Sequence, residues 1–73
     1  MVEVGDKILV MNWWDFKEDY IEFKVNTVGD PEHSYWHAWF THPEYGPHSF
    51  GISEIKKGLV KFVDPTKQVL YGK

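Results

Sequence analysis

The octapeptide SYWHAWFT, residues 34–41, carries the strongest structural signal in the sequence, because its side chains alternate in two sets along the chain. One set, which we expect to face the core, is Trp36, Ala38 and Phe40. The other set is Tyr35, His37 and Trp39. Since alternate side chains of a β-strand point to opposite faces, the octapeptide predicts a strand with aromatic residues on both faces. The second set then forms an exposed aromatic stripe, unless the two faces are reversed or a neighbouring loop covers it.

Further short strands are predicted on both sides of this run, because β-branched and aromatic residues cluster between turn signals. They cover residues 7–11, 21–28, 48–52 and 59–63. Residues 7–11 carry apolar side chains on both faces, which indicates a central strand. Residues 69–71 are a candidate edge strand. The single helix candidate covers residues 53–57, with Ser53 as its cap and Gly58 at its end.

Two segments resemble those of SH3-like small barrels. VGDKILV, residues 4–10, is a Gly-Asp turn that leads into a β-branched strand, and SEIKKG, residues 53–58, is a helical turn before the strand at residues 59–63. The resemblance implies an all-β fold, a small five-stranded SH3-like barrel with one short helical turn before the last core strand. The Ala-Leu-Tyr-Asp-Tyr motif of peptide-binding SH3 domains is absent, which argues against binding of proline-rich peptides.

Length and composition indicate one small domain spanning residues 1–73. No cysteine is present, so neither a disulfide nor thiolate-bound zinc can stabilise it. Aromatic residues make up 18% of the chain, and we expect their burial to supply the core. No apolar stretch approaches the roughly 20 residues of a membrane span, and the N-terminus lacks the basic start of a signal peptide. We expect a monomeric cytoplasmic protein that does not associate with membranes.

Charge is distributed unevenly along the chain. Residues 1–44 contain nine acidic residues and three lysines, whereas residues 45–73 contain two acidic residues and five lysines. The net charge of −3 disfavours nonspecific attraction to nucleic acid. All the basic residues are lysines, so bidentate recognition of phosphate or guanine by arginine is excluded.

The segment between the first two predicted strands is the main candidate binding site. Residues 12–20, NWWDFKEDY, mix aromatic and acidic side chains. The candidate binding residues are Trp13, Trp14, Asp15, Phe16, Glu18, Asp19 and Tyr20, joined by Tyr35 and Trp39 of the stripe. Trp and Tyr are enriched at the energetic centres of interfaces, which favours a recognition loop. The alternative is that Trp13 and Trp14 fold back and close one end of the barrel.

An aromatic cage is a narrower hypothesis for the same region. Tudor-like members of the SH3-like class resemble this arrangement of aromatic residues and dock a methylated lysine by cation–π attraction. The residues that could build such a cage are Trp13, Trp14, Tyr35, Trp39 and Tyr45, beside Asp15 or Asp19.

Metal binding and catalysis have weaker signals. His42 and His48 flank a loop, and across a hairpin they could approach each other with Glu44 as a third zinc ligand. Surface histidines without a metal are the simpler interpretation, and no cofactor is predicted. No activated nucleophile, paired buried carboxylates or glycine-rich phosphate loop is recognisable, so we predict no catalytic residue and no enzyme activity.

The function that we favour is that of an acidic protein-binding module. It docks through residues 13–20 and Trp39 on a basic and apolar surface of a larger protein, which it modulates or inhibits. Small acidic chains of this size are similar in general character to phage-encoded inhibitors of host enzymes. The alternative is a nucleic-acid-associated barrel that uses the C-terminal lysines, namely Lys56, Lys57, Lys61 and Lys67. A third interpretation is self-association through a strand edge, with all the aromatic residues in the core.

Overall fold

A computed structural model describes residues 1–12 and 19–72 of the chain. Within these residues the strands are β1 (Lys7–Met11), β2 (Tyr20–Lys24), β3 (Thr27–Gly29), β4 (His37–His42), β5 (Gly46–Phe50) and β6 (Val60–Phe62). The helices are α1 (Ile52–Lys56) and α2 (Pro65–Tyr71). The strands form two three-stranded antiparallel sheets in the orders β2-β1-β6 and β3-β4-β5. The structure is therefore mostly β-sheet, as predicted, and β1 is the central strand that its apolar faces indicate.

Strand β4 has the two faces that its alternation predicts. Ala38 and Phe40 are buried, whereas Trp39 is exposed on the opposite face. The strand begins later than predicted because residues 34–36 belong to the preceding turn, in which the backbone N–H of Trp36 donates to the carbonyl of His33 at 3.2 Å. Trp36 is buried nonetheless. The predicted core set is thus confirmed. Of the other set, Tyr35, His37 and Trp39 are all exposed, but Tyr35 lies in the turn and not on the strand.

The predicted strand at residues 21–28 is wrong as a single strand, because the chain passes from one sheet to the other within it. The N–H of Val25 donates to the carbonyl of Asp6 at 2.9 Å, beside the first sheet. The N–H of the next residue, Asn26, donates to the carbonyl of Trp39 at 2.9 Å, in the second sheet. The run therefore supplies both β2 and β3, so that residues 1–12 and 19–72 contain six strands where five core strands were predicted. Side-chain alternation breaks at the crossing, since Asn26 and Thr27 are both exposed and Val28 is the next partly buried residue.

The strand predicted at residues 48–52 lies earlier than expected, since β5 covers Gly46–Phe50. Gly51 leaves the strand because it is the N-cap of α1, where its N–H donates to the Glu54 carboxylate at 2.9 Å. The helical turn before β6 is confirmed, but Gly51 replaces the predicted cap Ser53. Gly58 ends the turn as predicted, with a φ of +79° that an L-residue adopts only at a cost.

The predicted edge strand at residues 69–71 is wrong, because these residues lie in α2. Asp64 is the N-cap of α2, its carboxylate accepts from the N–H of Thr66 at 2.9 Å, and Pro65 follows it in the first turn. Both residues are strong helix-start signals. The valine, leucine and tyrosine that follow favour a strand by composition. The cap and the packing of Tyr71 outweigh that preference.

Aromatic rings fill the space between the two sheets. The rings of Phe23 on β2 and Phe40 on β4 lie 4.8 Å apart and join the sheets directly. Trp36 packs edge-on against Phe50 at 5.9 Å. The other buried apolar residues are Val2, Ile8, Val10, Val25, Ala38, Ile55, Val60 and Phe62. Most of the large buried side chains thus come from residues that alternate along strands, as expected for an aromatic-rich core.

Helix α2 lies against β6 and is held by side chains that are only partly buried. The N–H of Phe62 donates to the side-chain carbonyl of Gln68 at 2.8 Å, so the helix satisfies a donor of an edge strand. The ring of Tyr71 packs on Trp36 at 5.1 Å and on Phe62 at 5.5 Å. The ammonium of Lys67 contacts both carboxylate oxygens of Asp6, at 2.6 and 2.7 Å. No helix in the described residues is long and apolar enough to cross a membrane.

Candidate functional site

The outward face of the sheet β3-β4-β5 presents Trp39, which is 39% exposed. The antiparallel register places Thr27 of β3 and Ser49 of β5 directly beside Trp39. We call this surface the Trp39 face. Its residues are Asn26, Thr27, Gly29, His37, Trp39, Thr41, Pro47 and Ser49. The cross-strand neighbours of Trp39 on this face are therefore short polar side chains.

The Trp39 face carries no Asp, Glu, Lys or Arg, although charged residues make up 26% of the chain. Depletion of charge around an aromatic residue is the compositional mark of the buried centre of a protein interface. An indole offers a large rigid contact area at a small cost in conformational entropy, which is why Trp is frequent among hot-spot residues. The face thus has the composition of a docking surface.

A hydrogen-bond network holds part of the Trp39 face in place. The amide of Asn26 donates to the Thr41 hydroxyl at 2.6 Å, and the hydroxyl of Thr27 donates to the Asn26 side-chain carbonyl at 3.0 Å. The N–H of Asn26 also bonds the carbonyl of Trp39. These bonds connect β3 to β4 on the side of the indole. The surface is therefore held in one arrangement, which would lower the entropy cost of any docking on it.

The two turns at the ends of β4 form an acidic and aromatic rim. The turn before β4 contains the exposed residues Asp30, Glu32 and Tyr35, and Tyr35 is 79% exposed. The turn after β4 contains the exposed residues Glu44 and Tyr45. A charged rim around an uncharged centre is the usual anatomy of a transient interface. Here the sign of the rim favours a partner with basic residues around an apolar patch.

A cleft of about 510 Å³ adjoins the Trp39 face at His37. Tyr35 and Trp36 line one side of it, and Ser53, Glu54 and Lys56 of α1 line the other. Burial acts to raise the pKa of Glu54, but hydrogen bonds from the Gly51 N–H and the Ser53 hydroxyl outweigh it, so the pKa is lowered. The Glu54 carboxylate is therefore ionised and serves the cap of α1. Lys56 of the same helix offsets this charge, and we assign no ligand to the cleft.

The predicted acidic-aromatic segment lies mostly outside the described residues. Those outside are Trp13, Trp14, Asp15, Phe16 and Glu18. Asp19 is exposed. Tyr20 is half-buried, its hydroxyl donates to the carbonyl of Gly58 at 2.7 Å, and the Lys61 ammonium lies 4.7 Å from the centre of its ring. The side chain of Tyr20 thus lies on the outward face of the sheet β2-β1-β6, where it contacts other residues of the same domain.

The four lysines of the alternative nucleic-acid site differ in their exposure and in their contacts. Lys56 and Lys57 are exposed, and Lys61 rests on Tyr20. The side chain of Lys67 is only 16% exposed because it pairs with Asp6. Burial acts to lower the pKa of Lys67, but the hydrogen bond and charge of Asp6, with the charges of Glu3 and Asp64, raise it overall.

The strand register brings together two further lysines that the sequence reading did not include among the candidate basic residues. Lys7 of β1 and Lys24 of β2 are direct cross-strand partners and both are exposed. Like charges in this position repel each other. The Trp39 face was missed in the same way, apart from Trp39 itself, because residues from three strands become neighbours only through the register.

The histidines proposed as zinc ligands are engaged with the backbone of the turn between β4 and β5. Nδ1 of His42 accepts from the N–H of Glu44 at 3.0 Å and from that of Tyr45 at 3.2 Å. Nδ1 of His48 bonds the carbonyl of Gly46 at 2.9 Å. Among residues 1–12 and 19–72, no group of three or more His, Asp or Glu side chains is placed to hold a metal ion.

Comparison with protein-family models, with curated proteins and with solved structures finds no match to this chain.

Proposed function

We propose that the chain is a protein-binding module rather than an enzyme, and that it docks on a larger protein through the Trp39 face. The observation that carries the proposal is an exposed indole whose described neighbours on the Trp39 face are all uncharged. We include Tyr35 of the rim in this docking surface, whereas a contribution of residues 13–19 stays a prediction from the sequence, since residues 13–18 lie outside the described residues. The partner surface has an apolar centre for Trp39 and basic residues at its edge.

The mechanism of docking follows from the two zones of this surface. Acidic residues of the rim steer the encounter with a basic partner, and their effect weakens as salt is added. Trp39 then loses its contact with water and supplies most of the binding energy. A chain of this size that covers a functional surface of a cytoplasmic enzyme inhibits it, which is how we propose that the module acts, in the manner of small phage-encoded regulators.

We further propose that the two sheets belong to an SH3-like barrel. Three observations support this: the chain passes between the sheets at Val25 and Asn26, β1 is central in its sheet, and α1 directly precedes β6. Phe23 and Phe40 close the space between the sheets. In such a barrel the Trp39 face is one wall.

The test begins with capture of the partner on immobilised protein in the presence of nuclease, followed by calorimetric titration of the purified partner. Trp39→Thr removes the indole and keeps a residue that favours a strand. We expect it to weaken binding by about 30-fold or more, the effect of losing a hot spot of about 2 kcal/mol. Ser49→Lys, which places a charge in the face and leaves Trp39 intact, is expected to weaken binding as well.

The matched control is Leu70→Ala, because Leu70 is 60% exposed but lies on α2, away from the Trp39 face. Equal affinity of Trp39→Thr, Ser49→Lys and the unmodified chain would refute docking through this face. A complex that disappears with nuclease and with Lys56→Glu/Lys57→Glu would instead support the nucleic-acid alternative. Light scattering that shows a dimer, lost in a strand-edge variant, would support self-association.

A further inference from the structure

Histidine rings hold the turns at both ends of β4. In the turn before β4, Nδ1 of His33 accepts from the N–H of Tyr35 at 3.0 Å. In the turn after β4, Nδ1 of His42 accepts from the N–H groups of Glu44 and Tyr45. In both cases the ring accepts from the residue two positions later, as the oxygen of Asn or Asp does in an Asx turn.

The hydrogen-bond partners determine the protonation of these rings. A backbone N–H can only donate, so each Nδ1 must carry a lone pair and the proton of the neutral ring must be on Nε2. His48 is the opposite case, because a carbonyl can only accept and its Nδ1 must therefore carry a proton. Acid adds a proton to the bonded nitrogen of His33 and His42, whereas it leaves the bond of His48 intact.

We propose that His33 and His42 form a pH-sensitive clamp on the two turns that flank the Trp39 face. When the rings are neutral, they fix the turns, and with them Tyr35 and Tyr45 of the rim. When acid protonates the rings, Nδ1 becomes a donor opposite another donor and both turns are released. This deepens the proposed function by adding regulation, and its consequence for docking rests on that proposal.

Neighbouring groups favour release once the rings are charged. Asp30 and Glu32 line one shallow depression with His33 and attract its imidazolium away from the Tyr35 N–H. The ring of Tyr35 lies 5.6 Å from that of His33. On the far side of Tyr35, the cleft contains Glu54 and Lys56 of α1, whose opposite charges offset each other.

The surroundings of His42 act in the same direction. The carboxylate of Glu44 is two residues away, and the ring of Tyr45 lies 4.7 Å from the imidazole. From β2, the apolar ring of Phe23 packs on it at 5.8 Å. From β5, the titratable neighbour is His48, which pairs with Phe40 one step along the same face.

The test is nuclear magnetic resonance of the isolated chain, so it needs no partner. At pH 8, the ring nitrogen shifts are expected to show the Nε2–H form for His33 and His42 and the Nδ1–H form for His48. On titration to pH 5, the amide signals of Tyr35, Glu44 and Tyr45 should follow the protonation of the rings. The protection of these amides from exchange, corrected for the intrinsic pH dependence, should fall by roughly two- to tenfold.

The decisive variant is His33→Asn/His42→Asn. Asparagine can accept from the same N–H groups but does not titrate, so the turns should form at both pH values and the three amide signals should stay constant. His37→Asn changes a histidine of β4 outside both turns, so the three amide signals should respond to pH as they do in the unmodified chain. An Nδ1–H form of His42, or the same pH response in the double variant, would overturn the proposal.

This outcome is distinguishable from failure of the docking proposal. If Trp39→Thr binds its partner normally while the turn amides respond to acid as expected, the clamp exists and the docking surface lies elsewhere. If docking requires Trp39 but the amides do not respond, the clamp is refuted and docking stands.

Discussion

Replacement of Lys67 by methionine tests the contact that ties α2 to the N-terminal turn. Methionine keeps much of the length of the side chain and removes its charge. In the structure, the ammonium contacts both oxygens of Asp6, and the side chains are 16% and 17% exposed. Asp6 also accepts from the N–H of Glu3 at 2.8 Å, so the carboxylate stays in place when the cation is removed.

The magnitude lies between two limits. Exposed ion pairs contribute about 0.2–1 kcal/mol, whereas breaking a fully buried pair costs about 3–5 kcal/mol. With most of both side chains covered and two short contacts, we expect Lys67→Met to lower the free energy of unfolding by about 2 kcal/mol. For a domain of this length, that corresponds to a fall in Tm of about 10 °C.

The assay is thermal unfolding followed by far-ultraviolet circular dichroism at pH 7, for the unmodified chain, Lys67→Met, Asp6→Asn and the double variant. We expect a coupling energy of at least about 1 kcal/mol between the two sites. Lys56→Met is the matched control, because Lys56 is exposed, and it should change the Tm little. A coupling near zero, or a Tm for Lys67→Met equal to that of the control, would refute the reasoning.

The pKa of Lys67 supplies an independent check. Because the pKa is raised in the folded chain, the stability it contributes is fully present below the ordinary lysine pKa of about 10.4. That contribution is lost as the pH rises through the higher folded value. The unmodified chain should therefore lose stability in strong alkali more steeply than Lys67→Met.

Two further predictions concern α1. Gly58→Ala should lower the free energy of unfolding by about 1–2 kcal/mol, because the backbone at Gly58 has a φ of +79°. The cost comes from the backbone alone, since an added Cβ would meet nothing within 4 Å. Urea unfolding measures it, and equal stability of Gly58→Ala would show that the left-handed conformation is not required. Glu54→Gln should be less stable than the unmodified chain at pH 7, and since the pKa of Glu54 is lowered, the difference should shrink as the pH falls below about 4.3. A difference that is constant between pH 7 and pH 3 would contradict this.

The local signals of the sequence predicted the inward and outward faces of the strands well. Alternation placed Phe40 in the core and Trp39 on the surface, because side-chain direction depends only on the conformation of the strand itself. The turn before β6 followed equally from the glycine at its end. The start of α2 was also readable, since Asp64 and Pro65 are a cap and a first-turn residue, but the apolar residues after them were interpreted as a strand.

Features that join distant parts of the chain could not be predicted in this way. The passage between sheets at Val25 depends on hydrogen bonds to Asp6 and, one residue later, to Trp39. Asn26 and Thr27 interrupt the alternation at this point, but the interruption does not reveal which sheet each half of the run joins.

For the candidate site, too, local features were predictable from the sequence and contacts between distant residues were not. The sequence alone determined that aromatic residues fill a small core, that Trp39 and Phe40 face opposite sides of one strand and that the chain is acidic, because these depend on composition and on local alternation. Tertiary structure alone surrounded Trp39 with uncharged neighbours, engaged Lys67 with Asp6 and placed the rings of His33 and His42 at the two ends of one strand. Those contacts depend on strand register and on the packing of α2, and both are set by interactions between residues far apart in the chain.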